Sequence, residues 1–427
     1  MAKRNYRKSK VGGHTLEPET LMLGFGFDPR LSEGSVKIPM FLTSTFAYRT
    51  AEEGKLLFDY MAGRAPAPKG VDAGLIYTRF NNPNLQIVEE RLAMLERADA
   101  CAVFASGMAA ILTALLATVS PGQSVLRSTP LYGGTETLFD RLLANLGVKS
   151  ARFLDGCDPK GVRAAARAAL KQGPMAAIYV ETPANPTNSI VDLDLIDRVA
   201  GEIEDQQGTR PVVIVDNTLL GPLYQAPLQH GADLVVYSLT KYVGGHSDLV
   251  AGAALGRADL MSKIRSLRGS IGNQLDVHSA WLITRSLETL RLRMDQSFDN
   301  AERVATWLDR QPKVERVFYP GFFQEGTREA KAVARQCGAY GATFSFTVAG
   351  GQSAAFRLLD KLQIFKQAVS LGGTESLACH PGSTTHSGVP EADRRVIGIE
   401  DGLIRVSIGV ESTKDLIADL KRALAVA

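Results

Sequence analysis

The chain has 427 residues, enough for two or three domains and a large core that needs no disulfide bonds. Its 48 basic residues nearly balance its 45 acidic residues, for a net charge of +3, which argues against a dedicated nucleic-acid-binding protein. The four cysteines contain no CxxC pair, so we expect neither a zinc site nor a disulfide framework. So few cysteines in so long a chain suit a reducing compartment and predict a cytoplasmic protein.

Residues 1–75 are predicted to form an N-terminal arm and oligomerisation segment. The first ten residues, MAKRNYRKSK, carry five positive charges and are followed by no apolar run, which indicates a solvated basic arm rather than a secretory signal. Residues 60–74, YMAGRAPAPKGVDAG, are rich in Gly, Pro and Ala and predict a loop.

From residue 76 onward, short apolar runs alternate with helical patterns. The predicted strands are Cys101–Phe104, Ser124–Arg127, Ala176–Val180, Val212–Val215 and Leu234–Tyr237. The predicted helices are Gln86–Glu96, Met108–Val119, Gly134–Leu146, Lys160–Gln172 and Leu193–Asp205. This alternation predicts an α/β domain with a mainly parallel sheet over residues 76–275. No charged residue lies between Asp99 and Arg127, but Ser106-Gly107 interrupts this stretch, and its purely apolar or Thr portion, Met108–Val119, is only 12 residues long, too short to cross a membrane.

After Gly269 the pattern changes. Val277–Leu292 and Asp299–Arg310 are predicted to form long amphipathic helices, and Thr343–Val348 and Leu403–Ser407 to form strands. Residues 276–427 are therefore predicted to form a smaller α+β domain.

Two strand ends carry the most informative side chains. Lys241 lies in YSLTKYVGGHSDLVAG, just past a buried strand, where parallel sheets bind ligands and where desolvation makes an amine nucleophilic. The alternative is a lysine that extends into solvent. Asp216 ends the strand of VVIVDNT, and a buried carboxylate there needs a cationic partner such as a protonated pyridine nitrogen. The alternative is a helix N-cap.

Two further motifs suggest phosphate binding. FASGMAA, with Gly107 and Met108, has the strand, Ser-Gly and helix order of an anion site at a helix N-terminus. In YTRFNNPN, Tyr77 and Arg79 lie on one side of an extended chain and could clamp a phosphate, or form an ordinary surface pair.

The remaining motifs suggest an aromatic cofactor and an amino-acid substrate. Tyr132 of LYGGT could stack on a cofactor ring or act as a base, or belong to the core. Asn185 of ETPANPT could hydrogen-bond a ring hydroxyl, and Arg405, within a strand, could bind a substrate carboxylate. Together these motifs predict a site for pyridoxal 5′-phosphate (PLP) and an amino acid.

The combination of SxTKYxxGHSD, VDNT, YTR and SLGGxESLxxHP resembles the Cys/Met metabolism family of fold-type I PLP enzymes. The resemblance extends from about Pro39 to the C-terminus. It implies an aspartate-aminotransferase-like α/β fold, bound PLP, a small amino-acid substrate and a homotetramer built as a dimer of active-site dimers. It implies no nucleic-acid or membrane partner.

The resemblance also implies a role for each matching residue. Lys241 corresponds to the lysine that forms the Schiff base and moves protons, and Asp216 to the partner of the pyridine nitrogen. Tyr132 corresponds to the tyrosine that stacks on the ring and serves as a catalytic acid or base. The implied phosphate ligands are Gly107, Met108, Ser238 and Thr240, with Tyr77 and Arg79 from the neighbouring subunit. The implied substrate residues are Ser370, Arg405, Asn185 and Val369.

Three positions bear on the reaction. Val369 resembles methionine γ-lyases, whereas the cystathionine enzymes commonly carry Glu there. Against a lyase, those enzymes usually have Cys at the position of Gly134 and a Lys-Asp pair at Arg268-Gly269. We expect γ-elimination on methionine or homocysteine-like thioethers. The alternatives are γ-replacement by a sulfhydrylase or cystathionine γ-synthase, a β-lyase, and a non-catalytic PLP-binding protein. An insertion at about 51–75 either reshapes the site entrance or is a surface loop.

Overall fold

A computed structural model describes residues 6–61, 64–65 and 74–427. The N-terminal segment begins with exposed residues of the predicted basic arm, of which residues 1–5 lie outside the described part. Its elements are strands β1 (Lys10–Val11) and β2 (His14–Thr15) and helices α1 (Pro18–Gly24) and α2 (Ala51–Met61). Helix α2 runs into the predicted loop as far as Met61, and residues 62–63 and 66–73 lie outside the described residues.

A seven-stranded sheet forms the larger body of the protein. Its strands are β3 (Ala100–Phe104), β4 (Ser124–Ser128), β5 (Lys149–Phe153), β6 (Met175–Glu181), β7 (Val212–Asp216), β8 (Leu234–Ser238) and β9 (Gly252–Gly256). Their order across the sheet is β3-β9-β8-β7-β6-β4-β5. Only β9 opposes the direction of its neighbours. The predicted mainly parallel α/β sheet is therefore confirmed, although β5 and the Gly/Ala-rich β9 lacked the Val/Ile pattern that revealed the other strands.

Helices cover both faces of this sheet. They are α3 (Pro83–Glu96), α4 (Gly107–Thr118), α5 (Gly133–Thr137), α6 (Pro159–Leu170), α7 (Leu193–Gln207) and α8 (Ala258–Ile271). Ile214 of β7 packs in the cluster that contains residues of α4, while Val213 and Val215 pack with residues of α6 and α7. Alternate residues of one strand are thus buried on opposite faces, which explains the continuous apolar run in the sequence.

A helix is present where the sequence predicts Gly134–Leu146, but the hydrogen bonds in its middle are π-helical and not α-helical. After α5, residues Leu138–Leu143 form π-helical turns. The guanidinium of buried Arg127 pairs with Glu136 and Asp140 and lies 5.2 Å from the ring centroid of Phe139. Side-chain periodicity does not distinguish a π register from an α register over one or two turns.

The C-terminal part contains a five-stranded sheet with helices. The strands are β10 (Val314–Phe318), β11 (Thr343–Val348), β12 (Lys366–Gln367), β13 (Leu377–Cys379) and β14 (Leu403–Ser407). The helices are α9 (Val277–Leu287), α10 (Leu290–Leu308), α11 (Arg328–Gln336), α12 (Gly351–Lys361), α13 (Glu391–Val396) and α14 (Thr413–Leu424). The strand order is β10-β11-β14-β13-β12, antiparallel except for the β12-β13 pair. The domain boundary at 275/276 stays a prediction.

The sequence placed the break between the two long helices wrongly. It predicted helices over 277–292 and 299–310, whereas the break lies at Glu288–Thr289 and α10 continues without interruption. Met294 and Phe298 are buried at helical spacing, so residues 293–298 continue the packed face. Glu288 instead turns outward, and its Oε2 lies 2.6 Å from Nζ of Lys37.

The loop that follows β6 connects the two sheets. The Asn188 side chain donates hydrogen bonds to the carbonyls of Phe318 (3.1 Å) and Thr343 (2.9 Å), and Ser345 Oγ donates to the carbonyl of Pro186 (2.7 Å). Ser345 pairs in register with Arg405 of β14. The loop that carries Asn185 is therefore held beside the strand that carries Arg405.

Asn188 also has a left-handed backbone, with φ of 52°. We expect Asn188→Ala to lower the free energy of unfolding by about 2–4 kcal/mol, because it loses two hydrogen bonds and Ala strains this conformation. Asn188→Gly loses the same bonds but tolerates the conformation, so it should be less destabilised by about 1 kcal/mol. Urea unfolding followed by circular dichroism measures both. Equal losses in the two variants would contradict the contribution of backbone strain.

Candidate active site

The predicted site residues converge on one edge of the larger sheet. Six of its seven strands run in the same direction, so the segments that follow their carboxyl ends meet there. These segments carry Gly107 after β3, Tyr132 after β4, Asn185 after β6, Asp216 at the end of β7 and Lys241 after β8.

Lys241 is half-buried and reaches across to the smaller sheet. Its Nζ donates a hydrogen bond of 3.2 Å to Oγ of Ser370. Burial, and then the positive charge of Arg405, lower the pKa of Lys241 to about 8. A substantial fraction of this amine is neutral near physiological pH, which is the form that acts as a nucleophile or base. The contact with Ser370 argues against a lysine that extends into solvent, and the role of Lys241 as the Schiff-base lysine stays a prediction.

The loop after Ser370 packs directly against the lysine backbone. Gly372 has a φ of +75°, and a Cβ there would lie 2.7 Å from the backbone nitrogen of Tyr242 and 3.0 Å from the carbonyl carbon of Lys241. Only glycine permits this approach, which brings Ser370 of the smaller part to Lys241 of the larger part.

Asp216 is a buried carboxylate with hydrogen-bond donors but no cation recorded beside it in the described part of the chain. Its Oδ1 accepts from the backbone N–H (3.1 Å) and the hydroxyl (2.6 Å) of Thr218, and its Oδ2 accepts from the Tyr179 hydroxyl (3.3 Å). Burial raises the pKa of Asp216, and the Thr218 bonds oppose that shift. A protonated ring nitrogen is the kind of partner that such a carboxylate favours.

The start of α4 and the end of β8 form an anion cradle. Ser106 caps the helix by accepting from the Ala109 N–H (3.0 Å). The first-turn N–H groups of Gly107 and Met108 have no acceptor within the helix, because no helical turn precedes them. A Cβ on Gly107 would lie 2.9 Å from Cβ of Ser238, so glycine lets the helix end approach that serine. A phosphate fits this helix N-terminus.

Thr240 lies beside the cradle, but its hydroxyl is occupied. It donates to the carbonyl of Ala251 (3.2 Å) and accepts from the Ala251 N–H (3.0 Å). Its hydrogen bonds hold the loop that carries Lys241, and its role as a phosphate ligand stays a prediction.

Arg405 is buried and surrounded by acceptors of the predicted substrate site. Its Nη1 donates to Oδ1 of Asn185 (3.3 Å), and its Nη2 donates to the carbonyls of Val369 (2.8 Å) and Ser370 (3.0 Å). Its Nε is buried without a hydrogen-bond partner among the described residues. None of these acceptors is charged, so the guanidinium remains available to a carboxylate. Val369 is 57% exposed.

Tyr132 presents an accessible ring at the same edge. Its side chain is 42% exposed, and its backbone N–H donates to Oε2 of Glu181 (2.7 Å). A Cβ at Gly134 would lie 2.7 Å from the Tyr132 ring, so the ring folds back over this glycine. An exposed face of this kind suits stacking on a planar cofactor.

Tyr77 and Arg79 are not brought into this group. Arg79 donates to the carbonyl of Gly269, and its guanidinium lies 4.4 Å from the ring centroid of Phe80. Tyr77 is 41% exposed. Among the residues that the structure describes, no recorded hydrogen bond joins either residue to the cradle or to Lys241.

Sequence reasoning overlooked three residues that contact the site. Tyr179 and Thr218 bind Asp216, and Glu181 accepts from Tyr132. Thr218 and Glu181 were both inside quoted motifs, and a carboxylate at a strand end was the same signal that drew attention to Asp216. Tyr179 carries no such signal, because a tyrosine within a buried strand usually belongs to the core.

The depressed pKa of Lys241 predicts its labelling behaviour. In the cofactor-free protein, trace acetylation of Lys241 should reach half its maximal rate near pH 8, because burial and Arg405 favour the neutral amine. Between about pH 8 and 10.5 the folded lysine is neutral and the unfolded lysine is charged, so its unfavourable contribution to stability falls as pH rises. Peptide mass spectrometry against an exposed lysine measures the profile. Arg405→Met should move the midpoint upward and Arg405→Lys should not; a midpoint near 10.5 in the native protein would contradict the assignment.

Comparisons with known proteins identify the family of the chain. The family described as Cys/Met metabolism PLP-dependent enzyme matches residues 19–425. L-methionine gamma-lyase of Pseudomonas putida is 38% identical over 409 residues, covering 95% of this chain and 96% of the relative. O-succinylhomoserine sulfhydrylase of Pseudomonas aeruginosa is 36% identical over 396 residues, covering 93% of this chain and 92% of the relative.

A solved structure shows that the fold is also similar to that of a known enzyme. Cystathionine gamma synthase from Xanthomonas oryzae pv. oryzae, in complex with aminoacrylate and cysteine, superposes with a TM-score of 0.84 at 33% identity, covering 96% of this chain and 98% of that chain. The predicted fold-type I architecture is confirmed. No helix within the described residues is long and apolar enough to cross a membrane.

The residues present fit the cofactor of this family. The glycine-dependent anion cradle, the buried carboxylate of Asp216 and the amine of Lys241 supply the three kinds of group that a phosphorylated pyridine aldehyde requires. The chain belongs to the Cys/Met metabolism family of PLP-dependent enzymes.

Proposed function

We propose that this enzyme catalyses γ-elimination on methionine or a homocysteine-like thioether, giving 2-oxobutanoate, ammonia and a thiol. The observation that carries the proposal is the exposed Val369 side chain, whose own carbonyl accepts from Arg405. A substrate whose carboxylate binds Arg405 would have its distal end near this residue. Val369 offers an apolar surface to a methyl thioether and no charge to a distal amino or carboxylate group. The methionine γ-lyase relative at 38% identity supports the same choice.

The residues of the chain supply binding and proton transfer. Arg405, with Asn185 beside it, would hold the substrate carboxylate, and Asp216 would hold a positive charge on the ring nitrogen. Bound PLP supplies an electron sink for the carbanion that forms when the Cα proton leaves.

Lys241 is the proposed proton carrier. Its amine, with a pKa lowered to about 8, would accept the Cα proton at Nζ and return it further along the substrate. Ser370 Oγ, 3.2 Å from Nζ, would orient the amine toward the substrate. The Tyr132 hydroxyl is the proposed acid that protonates the departing sulfur.

Gamma-replacement is the second candidate, and two observations favour it. A Cβ at Gly134 would meet the Tyr132 ring at 2.7 Å, so a cysteine does not fit there with the ring in this position. Arg268 is buried and pairs with Glu89, with Nη1 2.6 Å from Oε1, so it serves the core. The sulfhydrylase and synthase relatives support this candidate. Because the family consists of enzymes, the non-catalytic alternative is set aside.

A thiol-dependence assay distinguishes elimination from replacement. Methionine, cystathionine and O-acetylhomoserine are each supplied with and without sulfide, and 2-oxoacid and thioether products are measured. We expect 2-oxobutanoate from methionine without added thiol. Activity only on the acylhomoserine, and only with sulfide, would overturn the lyase proposal and establish replacement.

Val369→Glu provides a matched test of substrate choice in the same assay. A carboxylate here should lower kcat/KM for methionine about tenfold, because an apolar contact is lost, while cystathionine, with a distal ammonium group, should be less affected. Val369→Ile is the control that keeps the apolar surface. Equal losses for both substrates with Val369→Glu would show that Val369 does not face the distal end.

We also propose that the active assembly is a homotetramer built from active-site dimers, with Tyr77 and Arg79 serving the partner's phosphate site. The support is their position in this chain, where Arg79 contacts Gly269 and Phe80 and not the cradle. If these two residues bind the partner's phosphate, neither needs to contact the cradle of its own subunit. This agrees with the exposure of Tyr77 and with the hydrogen bond from Arg79 to the Gly269 carbonyl.

Subunit mixing tests this arrangement. Arg79→Ala and Lys241→Ala should each be nearly inactive alone. After joint refolding, about a quarter of wild-type activity should return, because half of random dimers are mixed and one of their two sites is intact. If Arg79 served its own subunit's site, mixing would restore nothing. Lys241→Ala mixed with Asp216→Ala, which impair the same site, is the negative control.

A further inference from the structure

Glu181 occupies a position in the site that no role yet explains. It ends β6 and is buried, between the strands that lead to Tyr132 and to Asp216. Its backbone pairs in register with Asp216, so the two side chains lie on the same face of the sheet. Within the described residues no cation is recorded against its carboxylate, so salt-bridge formation does not explain a carboxylate here.

Both oxygens of Glu181 accept backbone N–H groups of site residues. Oε2 accepts from Tyr132 at 2.7 Å, and Oε1 accepts from Asn185 at 2.8 Å. Its own N–H donates to Oγ of Ser128 at 3.1 Å, in the strand that leads to Tyr132. One side chain therefore joins the segment that carries the ring-stacking candidate to the segment that carries the amide beside Arg405.

Within the described residues, few recorded hydrogen bonds hold the two joined side chains themselves. The Tyr132 ring is partly exposed, and the Asn185 amide has a 3.3 Å hydrogen bond to Arg405. Their positions relative to Asp216 therefore depend on where the main chain is held. A buried acceptor that binds two neighbouring loops at once is well suited to that task.

A buried carboxylate at this position lowers the stability of the folded protein. Burial and the nearby charge of Asp216 raise the pKa of Glu181 well above its usual value. Two adjacent buried carboxyl groups without cations destabilise the cofactor-free protein, and such arrangements are concentrated at functional sites. A bound cationic ring nitrogen at Asp216 would relieve this repulsion.

We propose that Glu181 is a positioning residue of the active site, which holds the Tyr132 ring and the Asn185 amide in their places relative to Asp216 through its two backbone hydrogen bonds. It acts through these two residues. The inference rests on cofactor binding and is independent of the choice between elimination and replacement.

Two substitutions separate the two hydrogen bonds. Glu181→Leu removes both acceptors at similar volume. Glu181→Gln keeps one, because its amide nitrogen cannot accept from a backbone N–H. The matched control is Asp233→Asn. Asp233 is also buried in this sheet, accepts from the Val213 N–H (2.9 Å) and pairs with Arg257 (2.7 Å), but lies at the opposite, amino edge.

The first readout is amide hydrogen exchange in the cofactor-free proteins, over peptides that cover 129–137 and 182–188. Glu181→Leu should raise exchange about tenfold or more in both segments, and Glu181→Gln in one of them. The second readout is PLP binding. We expect the dissociation constant to rise about tenfold in Glu181→Leu and the visible circular dichroism of the bound cofactor to change in both variants. Asp233→Asn should lower stability while leaving exchange at these segments and the cofactor signal unchanged.

Wild-type exchange and wild-type PLP affinity in a folded Glu181→Gln protein would overturn the proposal. Should Glu181→Leu fail to fold, Glu181→Gln decides the question alone. Equal effects of Asp233→Asn on both readouts would also overturn it, because they would reflect a general loss of stability. A failure of the γ-elimination proposal changes only the products of the substrate assay and none of these readouts.

Discussion

The burial of ionisable groups without opposite charges beside them is the constraint on which this structure depends. Asp216 and Glu181 lie side by side at one sheet edge, while Lys241 and Arg405 lie together at the junction of the two sheets. Each arrangement is costly by itself, because burial disfavours the ionised forms of Asp216, Glu181 and Lys241, and a neighbouring like charge adds to this for Glu181 and Lys241. The family's cofactor and substrate carry the complementary charges: a cationic ring nitrogen for the carboxyl pair, a carboxylate for Arg405. Binding of these ligands at the proposed positions would complete an electrostatic arrangement that the protein alone leaves unsatisfied.

Close backbone contacts fix the positions of the segments that carry these groups. Gly107 lets a helix N-terminus approach Ser238, and Gly372 lets the Ser370 loop approach Lys241. Asn188 attaches the loop of Asn185 to the smaller sheet. The candidate site therefore lies between the two sheets, and neither sheet contains all of it. The same arrangement allows substrate specificity to change through residues on the smaller part while the cofactor residues on the larger part remain.

Sequence patterns predicted the strands well because both faces of the sheet are covered, which leaves continuous apolar runs such as that of β7. They failed where packing or hydrogen bonding decided the structure. Four of the five residues of strand β9 are Gly or Ala, so the strand is recognisable only by its neighbours. The helix break at Glu288–Thr289 follows from the burial of Met294 and Phe298, and the π-helical turns follow a hydrogen-bond register that side-chain spacing does not encode.

By itself, the sequence determined the family and the cofactor, because the motifs occur in combination. It also determined the residues at the strand ends, because a βα repeat fixes which side chains follow each carboxyl end. Only the tertiary structure decided how those residues contact one another. It brought Ser370 to Lys241 and Asn185 to Arg405 over 129 and 220 residues of chain, and it revealed Glu181 as the acceptor shared by Tyr132 and Asn185. The reason is physical: strand ends are specified by local pattern, whereas contacts between distant loops depend on packing that no local pattern contains.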